Sequence, residues 1–238
     1  MKIAAFALAA AVTSVSSAAF VEYYTVKTQT TNSGIDLDVY VLFARFSGST
    51  DTIVNAFNFN RVDGTATNLF YHKDLSTGTT APYPLTKAAG TWNPGQTGSV
   101  TANRPFDSWL TIGGSTGAGN STNADPSWPA AGGSWNRPDV PNGVNAGWFN
   151  SNPPNLQGRV GASFTNGTNT VTTASDSVRL GQFVVDRNAN GGTWNLKIGY
   201  TDGVSTTVLF AETTFSLPTP GAVALLGLAG LVGRRRRR

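Results

Sequence analysis

The chain has 238 residues, no cysteine, and 17 Lys plus Arg against 13 Asp plus Glu, a formal net charge of +4. Lys2 and the five terminal arginines account for the excess: without them 11 basic residues, scattered singly, face 13 acidic ones, which excludes a nucleic-acid footprint. The lack of cysteine excludes disulfide staples, thiol catalysis and cysteine-ligated zinc, so stability must come from an ordinary core or a bound ion.

At the N-terminus, Lys2 precedes the apolar stretch Ile3 to Val12, and Ser17-Ala18-Ala19 places small residues before Phe20. This layout predicts a secretory signal peptide over residues 1–19, too short to span a membrane and removed on export. Residues 20–216 then form one domain. Charged residues are only 13% of the chain while Gly, Thr, Ser and Asn abound, which favours exposed β-structure with many turns over helices.

Strands are expected at 20–28 and 35–46, separated by the turn residues Asn32-Ser33-Gly34. In the second, Leu37, Val39, Val41 and Phe43 lie on one face and Tyr40 and Leu42 on the other, predicting a strand covered on both sides. Asp36 and Asp38 alternate along it and could serve an ion, yet two exposed acids near a strand edge need no ligand. Further strands are expected at 52–62, 69–72, 108–112, 157–164, 178–185, 193–200 and 206–215. Trp194, Leu196, Ile198 and Tyr200 alternate with Asn195, Lys197 and Gly199, so one face of that strand is buried and one wet. Eight or nine strands with turn signals between them predict an all-β fold, an antiparallel β-sandwich of jelly-roll or immunoglobulin-like kind.

Between 113 and 154 the pattern gives way to Gly, Asn, Ser and Pro, predicting one long loop inserted in the domain. Trp128, Trp135 and Trp148 lie in it. Indole rings on a loop can stack on sugar rings while nearby Asn or Asp bond the hydroxyls, which makes these three candidate ligand-binding residues for extracellular polysaccharide. Inward packing that pins the loop to the sheet is the better-weighted alternative for each, since large aromatics are mostly buried.

Residues 186–191, Asp-Arg-Asn-Ala-Asn-Gly, match the opening of a calcium loop, with Asp186, Asn188 and Asn190 as candidate ligands. Lys197 stands where the closing bidentate glutamate belongs, and Asn190-Gly191 between two strands reads more simply as a hairpin turn. Calcium is therefore a candidate cofactor, and none is required. Catalysis is not expected: His72 is the lone histidine, Glu22 and Glu212 are the only glutamates, and neither G-x-S-x-G nor H-E-x-x-H occurs.

The chain ends with Pro218-Thr219-Pro220, then 13 residues from Gly221 to Gly233 with no polar side chain, then Arg234, Arg235, Arg236, Arg237 and Arg238. Thirteen residues make about 20 Å of helix, short of the ~30 Å hydrocarbon core that a permanent anchor spans. The arginines orient the segment, since positive charge stays on the cytoplasmic side and everything before Leu217 lies across the membrane. This tail, residues 217–238, resembles the PEP-CTERM sorting signal, with Thr219 where that family carries glutamate. The resemblance covers about a tenth of the chain. It implies a C-terminal hydrophobic helix held transiently in the membrane, removal by an exosortase-like transpeptidase, and a destination at the cell surface or in an extracellular polysaccharide matrix. The expected function is that of an exported structural or adhesive protein, with a carbohydrate-binding module as the alternative.

Overall fold

Alternation of β-branched and aromatic residues with polar ones carries the chain into two long antiparallel partners, β1 (Phe20–Asn32) and β2 (Ile35–Phe46), joined through Gly34 at φ +80°. A tight hairpin link needs positive φ, which glycine adopts without a Cβ clash. The computed structural model describes residues 19–32, 34–64, 69–72, 92, 107–114, 120–125, 140, 146–161, 164–166, 169–171, 176–203 and 205–218. Residues 1–18 of the expected signal peptide, Trp128, Trp135, Thr219, Pro220, the apolar run and Arg234–Arg238 lie outside the described residues.

The remaining strands are β3 (Thr52–Arg61), β4 (Trp109–Leu110), β5 (Thr122–Ala124), β6 (Trp148–Asn150), β7 (Phe164–Asn166), β8 (Asn169–Val171), β9 (Ser177–Asp186), β10 (Gly192–Thr201) and β11 (Leu209–Leu217). Among the described residues there is no α-helix, only a 3-10 turn at Pro153–Asn155. A four-stranded sheet runs β1-β2-β9-β4 and a five-stranded sheet runs β11-β10-β3-β6-β5. Every pairing is antiparallel, and β7 and β8 form a separate hairpin.

The inner faces of the two large sheets share one core. Phe59 of β3 sits 5.4 Å from Phe183 of β9 between ring centroids, Tyr23 of β1 lies 6.0 Å from Phe215 of β11, and Phe46 of β2 lies 5.0 Å from Tyr200 of β10. The Tyr23 hydroxyl donates to the Leu196 carbonyl at 3.2 Å, satisfying the one polar atom this ring carries into the core. As the pattern of β2 predicts, residues 37–44 are all buried: Tyr40, Leu42 and Ala44 enter the main core, while Leu37 and Val39 pack with Tyr71 and Val184 on the other side.

Three local expectations are corrected. The 113–154 segment is not one loop, because β5 and β6 lie within it and extend the five-stranded sheet beside β3. Strands of three residues are too short to display a period. Of the strand expected at 157–164, residues 157–161 form a turn instead, touching β3 through a bridge between Thr52 and Arg159, and Phe164 belongs to the separate β7. Gly158 is required there, because a Cβ would meet the Ile53 carbonyl oxygen at 2.0 Å. Residues 187–191 connect β9 to β10 and so cross between sheets, where a hairpin was expected.

Candidate functional site

The solvent face of the five-stranded sheet gathers aromatic rings and amides that the strand periods alone do not predict. In β3 the inward residues Ile53, Ala56 and Phe59 are spaced by three, not two. Two bulges cause this: the β3–β10 register slips between Asn195 and Lys197 and again between Gly199 and Tyr200. At the first slip Asn58 is the extra residue, held at φ +56°, a left-handed conformation that asparagine tolerates better than most residues. The bulge lets Phe57 face solvent while Phe59, two residues on, enters the core.

Cross-strand register then lines up Phe210, Gly199, Asn55, Phe149 and Asn123 in one row over all five strands. Three strand spacings of ~4.8 Å put the Phe210 and Phe149 backbones about 14 Å apart. Phe210 is 59% exposed and Phe149 37%. Between them the row dips at Gly199, where a Cβ would meet the Asn55 side-chain oxygen at 2.3 Å. That oxygen accepts no hydrogen bond.

The neighbouring row holds Glu212, Lys197 and Phe57. Phe57 and Phe210 meet edge to face at 6.1 Å, and the Lys197 ammonium stands 5.6 Å from each ring centroid. Lys197 also pairs with Glu212 at 3.6 Å. Glu212 accepts from the amides of Asn195 and Asn58, and Asn60 donates to the Asn58 carbonyl at 2.9 Å. The Asn195 bond above all, with help from Asn58 and Lys197, outweighs slight burial and holds the Glu212 carboxyl below its usual range, so it is ionised at neutral pH. The surface thus presents apolar ring faces beside fixed donors and acceptors. Such a combination suits a sugar ring or a protein side chain with mixed polarity.

The residues singled out in the sequence lie elsewhere. Trp148 is 1% exposed; its ring meets Phe59 at 5.6 Å and its indole N–H donates to the Thr111 carbonyl at 2.9 Å. It packs inward, and burial removes it from any sugar platform. Asp186 Oδ1 accepts from the Asn188 N–H at 2.8 Å and Asn190 Oδ1 from the Gly192 N–H at 3.1 Å, so both side chains close local turns. Pro218 follows β11 directly, and its carbonyl accepts from the Tyr40 hydroxyl at 2.7 Å. His72 is buried against Trp92 at 4.6 Å, 3.7 Å from Asp107.

Asp38 corrects the reading of two exposed acids: it is buried, on a strand paired on both sides, with Lys27 at 2.6 Å, Arg187 at 3.6 Å and the Gln29 amide at 3.0 Å. Only Asp36 remains outside, paired with Arg187 at 3.0 Å. No three His, Cys, Asp or Glu side chains cluster as a metal site among the described residues.

Phe57, Phe149 and Phe210 escaped notice because each shares its strand with a second, buried aromatic, Phe59, Trp148 and Phe215 respectively, and nothing local tells the two apart. Only the register sets them on one face; the available hint was Lys197 and Gly199 alternating on the wet side of β10. Compared with protein-family models, curated proteins and solved structures, the chain matches none.

Proposed function

We propose that this is an exported, surface-directed adhesive or structural protein of the cell envelope or extracellular polysaccharide matrix, which makes contact through the solvent face of its five-stranded sheet. The observation that carries this reading is the row from Phe210 to Phe149, with Phe57 beside it: three rings left partly in water on one face, set among five asparagines and one ion pair. Leaving phenylalanine exposed forfeits about 1.5–3 kcal/mol of burial per fully exposed ring, a cost that contact with a partner recovers.

The domain is proposed to be a β-sandwich of immunoglobulin-like topology. Sheet orders β1-β2-β9-β4 and β11-β10-β3 correspond to the A-B-E-D and G-F-C orders of that architecture, with β2–β3 and β9–β10 each crossing between sheets. A jelly roll pairs its first strand with its last, and here β2 pairs with β9 while β3 pairs with β10. Two strands, β6 and β5, extend the sheet beyond β3.

At the C-terminus, the proposal keeps the PEP-CTERM-like reading: Pro218, Thr219 and Pro220, the apolar run and Arg234–Arg238 are a sorting signal cut by an exosortase-like enzyme after export. The place where β11 ends supports it. Leu217 is the last buried residue described and Pro218 is exposed, so a cut beyond the motif leaves the last strand intact.

A carbohydrate-binding module is the second reading, favoured by the alternation of rings and amides on the same face. One experiment addresses both. Wild type and a Phe57→Ala/Phe149→Ala/Phe210→Ala variant are compared for retention on isolated extracellular polysaccharide and on cells stripped of it. Loss of retention on polysaccharide favours the glycan reading, and loss on stripped cells favours a protein contact. Equal retention of both proteins on both surfaces would reject this face as the functional one.

A further inference from the structure

Open sheets leave strand edges, and among the described strands the two large sheets end in β1 and β4 on one side and in β11 and β5 on the other. An edge exposes unpaired N–H and C=O groups, and proteins ordinarily blunt it by shortness, by charge or by a bulge. β4 and β5 have only two and three residues. β1 carries a bulge between Phe20 and Glu22, and it turns Lys27 inward to meet the buried Asp38 at 2.6 Å. β11 lacks these devices: its nine residues, without glycine or proline, run along β10 with no break in register. Among the described residues no strand pairs with its other side.

Both faces of this strand are wet. Leu209 and Thr213 pair with Tyr200 and Leu196, which belong to the main core, so they sit on the core side of the sheet, yet both are exposed. Phe210 on the outer side is exposed too, as is Val208 just before the strand. Cover comes near the end of β11, where Tyr23 of β1 lies 6.0 Å from Phe215 and the Tyr40 hydroxyl holds the Pro218 carbonyl; Phe215 and Leu217 are buried. A ligand on the outer face would cover Phe210 and leave Leu209 and Thr213 in water. A strand laid alongside shades both faces at once, because its side chains alternate between them.

We infer that β11 pairs antiparallel with β11 of a second copy of this chain, about a twofold axis at Phe210. Exposure sets the axis: residues 206–214 are exposed apart from the half-buried Ala211, and Phe210 is their midpoint, so twofold symmetry makes that stretch its own partner. Charge agrees. Glu212, the sole charge of β11, pairs with Lys197 of its own chain at 3.6 Å, so the edge carries no net charge for a charged partner to answer. The axis puts Glu212 opposite the partner's Val208 and keeps the two carboxylates four residues, about 13 Å, apart. Phe210 faces the partner's Phe210, and the outward row that starts at Phe149 continues across both copies. Such an isologous contact closes at two, since the other edges are too short or are blunted by charge and a bulge. It is separate from the contact proposed for the outer face, because Leu209 and Thr213 lie on the other side of the strand.

The chain has no cysteine, so an introduced one reports the register without background. Val208→Cys, Phe210→Cys, Glu212→Cys and, on the opposite edge of the same sheet, Asn123→Cys are made in the full-length chain, kept in mild detergent and treated with a thiol oxidant. Non-reducing electrophoresis reads the linked dimer, which forms only where Cβ atoms come within ~4.5 Å. Phe210→Cys is expected to link several-fold more than Asn123→Cys, and a mixture of Val208→Cys with Glu212→Cys several-fold more than either alone. Adding Thr213→Lys, an inward charge like that of Lys27, should bring the Phe210→Cys link down to the Asn123→Cys level. The inference is overturned if Phe210→Cys links no more than Asn123→Cys, if Val208→Cys or Glu212→Cys alone links more than Phe210→Cys, or if Thr213→Lys changes nothing. Should Phe210→Cys fail to fold, the mixture decides: mixed dimer above the Asn123→Cys level supports the pairing, and its absence refutes it.

Discussion

Replacing Phe59 and Phe57 separately by alanine isolates the Asn58 bulge, since the two residues differ in sequence position by only two yet face opposite sides of the sheet. The Phe59 ring is fully buried, with Trp194 at 4.8 Å, Phe183 at 5.4 Å, Trp148 at 5.6 Å and Phe215 at 6.3 Å. A buried Phe→Ala change costs about 3–5 kcal/mol, and four aromatic partners from both sheets place this site near the top of that range. Phe57 meets one ring, Phe210, and the Lys197 ammonium, so Phe57→Ala costs about 1 kcal/mol or less. In urea, with a slope of about 2–3 kcal/mol/M, Phe59→Ala should lower the midpoint by about 2 M and Phe57→Ala by under about 0.5 M. Tryptophan fluorescence reports both transitions. If the two variants lose similar stability, or Phe57→Ala loses more, the bulge is misplaced, and with it the outward face and the function assigned to it.

Trp148→Phe should cost about 1–3 kcal/mol by leaving the Thr111 carbonyl buried without its indole donor, and quenching by acrylamide should fall little on unmutated protein if Trp148 is as enclosed as its packing indicates. Alkaline titration tests Tyr23. Burial first, and the Glu212 charge second, push its hydroxyl far above the ordinary value near 10, so the folded state resists ionisation. The stability this group contributes is complete below pH ~10 and is lost as pH rises above it, by about 1.4 kcal/mol per pH unit. Tyr23→Phe, although it loses the bond to Leu196, should unfold less steeply between pH 10 and 12 than wild type; an unchanged slope would show that Tyr23 is not the group that titrates.

Much of the strand framework was legible in the residues. The bounds of β2 were read as 35–46 and found there, because twelve residues with apolar groups on both faces admit a strand buried on both sides. The alternation from Trp194 to Tyr200 likewise named the buried side of β10. Reading broke down where a strand's partner, and not its own composition, decides the outcome. β5 and β6 have three residues each and exist because β3 offers an edge for them. Asp38 resembles its neighbour Asp36 in sequence, yet β1 and the turn after β9 bring Lys27 and Arg187 to it, which makes burial tolerable.

Local sequence by itself therefore determined the strand class, the principal strand segments and the buried side of those with an unbroken period of two. The sorting reading also came from local order at the two ends, where residue type and spacing carry the signal. Tertiary structure decided which strands share a sheet, that Phe57 faces water while Phe59 does not, and that Asp38 is enclosed between Lys27 and Arg187. The physical reason is parity. One extra residue in a strand inverts every side chain beyond it, and whether a bulge forms depends on the register and packing of strands that are remote in the chain.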